Sequence, residues 1–183
     1  MSDNPPAGVL HLTRLYTQIA LARRGPEDVP AMPWVLVATA LAYLLLNLLL
    51  STLLPATPDG TLPVILFDSV LLLGSYFVVL QIAGHPARWR QTVSAVLGVQ
   101  VVLLPAIALA TSLFVQYKDN AEWQLPAALP LMVVGLWLLF VNARILSAAT
   151  TWNLWPCLGL VFAQGLLSRI IEMSLLPGVA AAS

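Results

Sequence analysis

Five long apolar stretches constrain what this chain can fold into more than any other feature of its sequence. Each holds roughly 20 to 25 residues, and at about 1.5 Å per residue such a helix can cross a hydrocarbon core of about 30 Å. The stretches cover residues 33–54, 62–83, 92–114, 126–146 and 152–176. The pattern therefore predicts an all-α fold: a polytopic integral membrane helix bundle, with five transmembrane helices in one domain over residues 33–176.

The composition argues against a water-soluble alternative. Of the 183 residues, 60% are hydrophobic and 9% are charged, whereas soluble domains carry about 25% charged residues. Eight basic and eight acidic residues give a net charge of zero, so we expect no nucleic-acid partner. Cys157 is the one cysteine in the sequence, which excludes an intrachain disulfide framework and a multi-cysteine metal site.

Prolines support the predicted helix boundaries. Proline is favourable in the first turn of a helix, because the N–H group that it lacks has no intrahelical acceptor there. Prolines stand at or near the starts of the stretches, at positions 33, 63, 126, 130 and 156. Pro105 instead lies inside the third stretch, where it removes the hydrogen bond to the carbonyl of Val101. We expect a helix kink at Pro105.

Residues 9–25 carry the pattern of an amphipathic helix that follows a loose polar tail over residues 1–8. At about 100° per residue, one side of this helix collects the apolar residues. They include Val9, Leu12, Leu15, Tyr16 and Ile19. Two positions fit such a helix: the membrane surface, which suits its three arginines and modest apolar stripe, or the surface of a partner or of the bundle itself. We expect the interfacial position.

The arginines predict the orientation of the bundle. Six of them fall on one side of a five-span topology: Arg14, Arg23, Arg24, Arg88, Arg90 and Arg144. Because basic residues concentrate on the cytoplasmic side, we expect a cytoplasmic N-terminus and an external tail over residues 177–183, in a bacterial inner membrane. The residues expected to contact lipid headgroups or a partner subunit are Arg14, Arg23, Arg24, Arg88, Trp89 and Arg90. Trp137 lies within a span and is expected to face lipid or a neighbouring helix.

The fifth stretch leaves two topologies open, because it contains Arg169 and Glu172. A stretch that ended at Ser168 would be near the lower length limit for a span, and a re-entrant segment would then return the C-terminus to the inside. The two charges are three residues apart and can neutralise each other within one helix. We therefore expect a fifth full span.

Four polar residues are predicted to share one layer inside the membrane: Asn47, Asp68, Arg169 and Glu172. The first two spans form an antiparallel hairpin, so Asn47 and Asp68 should come to the same depth, about 10 Å below the outer surface. Arg169 should lie at that depth too, with Glu172 one turn above. One interpretation is a buried Asp68–Arg169 pair with Asn47 as hydrogen-bonding glue between helices. The other is a proton or ligand station.

The sequence offers no recognisable catalytic, metal or cofactor motif. His11 and His85 have no second histidine or cysteine nearby, no serine or threonine stands beside a histidine and an acid, and the glycines are isolated. We therefore expect neither an enzyme nor a cofactor or metal.

Five spans, a cytoplasmic amphipathic segment, an external C-terminus and short loops together resemble the Yip1-like membrane proteins. The segment from Arg23 to Pro30, which leads into the first span, is similar to the Gly-Pro entry segment of that group. The resemblance covers most of the chain in topology and about eight residues in motif. The eukaryotic members carry a long acidic N-terminal region and a Tyr-Gly pattern. This sequence lacks both, so the resemblance does not imply their trafficking role. It also implies no catalytic residues.

The favoured function is a non-enzymatic scaffold, assembly factor or accessory subunit, which would contact membrane lipids and other membrane protein subunits. The alternative is a small permease or an ion- or proton-translocating subunit built around Asp68, Arg169 and Asn47. A third, weaker possibility is an intramembrane enzyme that acts on a lipid through Glu172 and Arg169.

Overall fold

The computed structural model describes the backbone of residues 8–53 and 62–175, and the side chains of residues 8–52 and 65–171. Six α-helices are present in these ranges: α1 Val9–Ala20, α2 Pro33–Leu53, α3 Leu62–Ile82, α4 Trp89–Tyr117, α5 Gln124–Thr150 and α6 Leu154–Leu175. Two 3₁₀ turns, Pro26–Asp28 and Pro86–Arg88, precede α2 and α4. The predicted terminal tails and the turn between α2 and α3 lie outside the described residues, apart from Gly8.

Helices α2 to α6 are each long and apolar enough to cross a membrane, as the sequence predicted. Many large apolar side chains on these helices are exposed, for example Leu45, Leu66 and Phe162. Such a surface is unfavourable in water and favourable in hydrocarbon, where a helix satisfies its backbone groups internally. Within the described ranges the fold is therefore an all-helical bundle compatible with a multi-pass membrane protein. We call the end where α2, α4 and α6 begin the basal end, and the opposite end the distal end.

Helix α6 is one uninterrupted helix of 22 residues. At about 1.5 Å per residue it extends roughly 33 Å, which is long enough for a full span. It continues past Ser168 and includes Arg169, as a full fifth span requires, and the topology of this segment in the membrane stays a prediction. Helix α4 likewise continues through Pro105, and the kink at that residue remains a prediction.

Helix α4 forms the centre of the bundle. Every residue from Thr92 to Val99 is buried, because α1, α2, α3 and α5 all pack against this helix. A helix that is buried on all sides has neighbours on all sides. The small residues Ser94, Ala95 and Gly98 lie in this buried segment, and small side chains allow helix backbones to approach closely.

The expected surface position of α1 is not confirmed, because its apolar face packs against the bundle. Its buried residues are Leu12, Leu15, Tyr16, Ile19 and Ala20, and the helix contacts α4 and α5. The Tyr16 ring lies against Gly98, where an added Cβ would collide with it. Gly98 is roughly 14 Å along α4 from its basal end. Helix α1 thus lies beside the basal half of the bundle, which corresponds to the other position considered for it.

Hydrogen bonds to α2 and α5 hold α1 in this position. Thr39 donates its hydroxyl to the carbonyl of Val35 at 2.7 Å, so the Tyr16 hydroxyl is the donor in its 2.8 Å contact with Thr39. Burial raises the pKa of Tyr16, which keeps this donor protonated. At the C-terminus of α1, the Trp137 indole donates to the carbonyl of Ala20 at 2.9 Å.

Arg144 completes the C-terminal end of α1, donating to the carbonyl of Ala22 at 2.9 Å. The last carbonyls of a helix have no intrahelical partner and carry a partial negative charge, so they require donors when they are buried. Trp137 was expected to face lipid or a neighbouring helix, and the structure shows the second. The donors from α5 thus pair the carbonyls of Ala20 and Ala22, where α1 ends against the bundle.

Arg88 performs the same task at the end of α5. Its guanidinium donates to the carbonyls of Ala148 and Ala149 at 3.4 and 3.2 Å. Replacing Arg88 by alanine should lower the free energy of unfolding in detergent by about 1 kcal/mol, because these carbonyls lose a cationic donor. Arg90→Ala is the matched control, since it removes the same charge two residues later from an exposed side chain. Equal losses in the two variants would contradict a capping role for Arg88.

Candidate functional site

The spanning helices line an open cavity of about 490 Å³ that we call the polar chamber. All five of them contribute to its lining. The polar lining residues are Tyr43 on α2, Asp68 and Tyr76 on α3, Gln100 on α4, Asn142 on α5, and Gln164, Ser168 and Arg169 on α6. Its volume falls in the usual range for ligand sites, about 300 to 1,000 Å³. A cavity with this lining in a membrane bundle is a candidate binding site for a polar molecule.

Asp68 and Arg169, which the sequence predicted at one depth, both line the polar chamber. The Asp68 carboxylate accepts a hydrogen bond from the hydroxyl of Ser168, the residue before Arg169. This contact joins α3 to α6 at the level that the sequence predicted for Asp68 and Arg169. Carboxylates inside a membrane are costly and are found mainly where they face a partner or a pathway.

The two other residues of the predicted layer have different outcomes. Asn47 donates its side-chain amide to the carbonyl of Tyr43 in its own helix at 2.8 Å, and it is not among the described residues that line the polar chamber. The Glu172 side chain lies outside the described residues, although its backbone belongs to α6.

Two amide oxygens in the polar chamber have no hydrogen-bond partner among the described residues. They are Oε1 of Gln100 and Oδ1 of Asn142, and both atoms are buried. Asn142 itself is only 7% exposed. A buried acceptor that stays unpaired costs about 1 to 3 kcal/mol, so native proteins pair nearly all of them with protein, water or ligand. Two residues that line the chamber thus carry buried acceptors without a partner among the described residues, and Asp68 adds a carboxylate to the same lining.

Sequence reasoning did not assign Gln100, Asn142, Ser168 or the two tyrosines to the site. A usable signal was present for Gln100 and Asn142, because an amide inside an apolar span is expensive unless it meets a partner or a cavity. Depth alone did not identify them, since they lie on α4 and α5 nearer the basal end than Asp68 does. Their inward orientation depends on how α4 and α5 are rotated in the bundle.

The residues predicted to contact lipid headgroups have partly internal contacts. Arg88 caps α5, and the Trp89 indole donates to the carbonyl of Leu73 at 3.1 Å and meets the Phe77 ring edge-on. Arg24 lies 4.0 Å from Asp28. Arg14, Arg23 and Arg90 are exposed, and a headgroup role for them stays a prediction.

Within the described ranges, no group of three or more histidine, cysteine or acidic residues is arranged to hold a metal ion. Cys157 is buried, with its sulfur 3.9 Å from the hydroxyl of Thr150. It packs between α5 and α6, where a thiol behaves as a small hydrophobic group.

Comparison of the chain with protein-family models, with curated proteins and with solved structures gives no match. The resemblance to the Yip1-like proteins therefore stays a prediction from topology.

Proposed function

We propose that this protein binds a small hydrogen-bond-donating molecule in the polar chamber and carries it through the membrane. The observation that supports this most directly is the pair of unpartnered acceptors on Gln100 and Asn142 in the same cavity as the Asp68 carboxylate. A molecule with N–H or O–H groups, such as a primary amine, satisfies these acceptors, and an ammonium group also complements the carboxylate.

The chemistry of the lining favours a solute over protons as the transported species. A proton route across the membrane requires a series of titratable side chains. Toward the basal end, the polar residues that line the chamber include Gln100, Asn142 and Gln164. Their side-chain amides donate and accept hydrogen bonds but do not titrate in the physiological range. Amide groups of this kind are suited to orienting a bound molecule.

Replacing Asp68 by asparagine should separate binding from folding. Asparagine keeps the size of the side chain and can still accept a hydrogen bond from Ser168, but it removes the charge that attracts an ammonium group. Small primary amines, beginning with ethanolamine, should raise the melting temperature of the wild-type protein in detergent. In Asp68→Asn the apparent affinity should fall by about 10- to 100-fold, as expected for loss of a charge-assisted hydrogen bond.

The matched control is Asp119→Asn, which removes an equal charge from an exposed loop residue and should bind as the wild type does. Uptake of the same amine into proteoliposomes should fall in parallel in Asp68→Asn. The proposal fails if no amine shifts the wild-type melting temperature, or if Asp68→Asn binds and transports like the control.

The accessory-subunit hypothesis remains a second candidate, and the exposure of α6 favours it. This helix has the smallest buried share of the five spans, and its outer face carries Trp155, Phe162 and Ile170. A partner helix could pack on this face. Crosslinking in native membranes from a cysteine placed at Phe162 should then trap a second protein, and recovery of uncrosslinked monomer alone would count against this function.

A further inference from the structure

A second cavity of about 210 Å³ adjoins the polar chamber, and we call it the apolar cleft. It lies between α3 and α6, and its walls include Val79, Leu160 and Ala163. Leu71, Tyr76 and Gln164 line both cavities, so they share a boundary. A molecule with a polar part and an apolar part can therefore occupy both together.

The apolar cleft reaches the outer surface of the bundle. Leu167, which lines it, is 50% exposed, and Leu160 is 38% exposed. In a membrane, this surface faces the hydrocarbon chains of lipids. An acyl chain that enters the cleft exchanges one apolar environment for another and incurs no desolvation penalty, unlike a polar solute on the same path.

The Asp68 carboxylate of the polar chamber lies on the distal side of the apolar cleft along the helix axes. Asp68 in the chamber and Val79 in the cleft are separated by roughly 16 Å along α3, at 1.5 Å per residue. The polar lining extends nearer the distal end, and the apolar lining extends nearer the basal end. A lipid of the distal leaflet has the same order, with its headgroup toward the distal surface and its chains toward the bilayer centre.

The acceptors of the chamber define the headgroup. Asp68 contributes a carboxylate on the distal side of the chamber, and Gln100 and Asn142 carry buried amide oxygens without a partner among the described residues. The complementary group is therefore a cation that carries N–H donors. A primary ammonium has three such donors, whereas a quaternary ammonium has none.

We infer that the ligand of this protein is a membrane lipid with a primary-amine headgroup, of the phosphatidylethanolamine kind, with its headgroup in the polar chamber and one acyl chain in the apolar cleft. This inference rests on the proposed function, because it names the class of molecule that the chamber binds. It makes the protein a carrier or sensor of a lipid rather than of a dissolved amine.

Phosphatidylethanolamine and phosphatidylcholine with identical acyl chains test the headgroup. Native mass spectrometry of the protein in mixed micelles should show about tenfold preferential retention of the ethanolamine lipid, which corresponds to one or two additional hydrogen bonds. Asn142→Leu preserves the approximate size of the side chain but removes its acceptor, and it should reduce this preference. Equal retention of the two lipids by the wild-type protein would overturn the inference.

Cleft-filling variants test the position of the chain. Ala163→Trp should lower retention of phosphatidylethanolamine about tenfold or more, and Ala163→Phe provides a smaller replacement if the first variant does not fold. Leu136→Trp places the same ring on the exposed surface of α5, outside the cleft, and should retain the lipid. Undiminished lipid retention by folded Ala163 variants would overturn the assignment of the chain to the cleft.

Ethanolamine distinguishes this inference from the proposed function. Ethanolamine without chains should raise the melting temperature of the wild type and of Ala163→Trp alike, because it needs only the polar chamber. Binding of ethanolamine without selective retention of its lipid would overturn the lipid inference and leave the proposed function standing. Failure of both ligands to bind would overturn both.

Discussion

Replacing Gly98 by alanine should destabilise the protein by about 1 to 3 kcal/mol, the range typical of overpacking a well-packed site. The added methyl group would occupy the space of the Tyr16 ring, and that ring cannot turn away freely because its hydroxyl is bonded to Thr39. Helix α1 should therefore loosen from α4. Chemical unfolding in detergent measures the loss, and limited proteolysis in the α1–α2 connection should become faster.

Gly74→Ala is the matched control for this change. Gly74 also lies within a spanning helix, but an added Cβ there meets no atom within 4 Å. Alanine is favoured over glycine in a helix by up to about 1 kcal/mol, so this variant should be neutral or more stable. Combining Gly98→Ala with Tyr16→Ala should remove most of the cost of the first change, because the colliding ring is absent. Strictly additive effects of the two changes would contradict a direct contact.

Trp137→Phe should have the second-largest effect, a loss of about 1 to 3 kcal/mol. Phenylalanine retains an aromatic ring, but it cannot donate to the carbonyl of Ala20. Ala20 is only 2% exposed, so this carbonyl is buried. An unsatisfied buried carbonyl carries a cost of that size. The end of α1 should open, which is measurable as faster labelling of a cysteine introduced at the buried residue Ala20.

Trp155→Phe is the control for this second change, because Trp155 is 77% exposed and the same substitution there should alter the stability by less than about 0.5 kcal/mol. Similar losses at the two positions would indicate that the ring of Trp137, and not its hydrogen bond, stabilises the end of α1.

The five apolar helices were predictable because length, hydropathy and proline placement are local properties of the chain. The predicted starts of the first two spans coincide with those of α2 and α3, where Pro33 and Pro63 restrict the first turn. Helices α4 and α5 extend beyond the predicted spans at both ends, because hydropathy reports the apolar part of a helix and not the turns that continue beyond it.

The candidate site was predictable only in part. Depth along a helix follows from residue number, so Asp68 and Arg169 could be assigned to one level. Which way a side chain points also depends on the rotation of its helix, which hydropathy does not report when the apolar residues surround the axis. For that reason Asn47 was expected in the layer but bonds to its own helix, whereas Gln100 and Asn142 were not assigned to the site and line the chamber.

Helix α1 separates most clearly what the sequence determined from what the tertiary structure decided. The sequence determined that residues from Val9 onward form a helix with one apolar face, because that pattern is set by neighbours three and four positions apart. It did not determine what covers this face, since lipid and protein are equally apolar. Three residues distant in the sequence determine the position of α1 in the tertiary structure. Gly98 provides a surface on which the Tyr16 ring packs closely, and Trp137 and Arg144 donate hydrogen bonds to the carbonyls at the end of the helix.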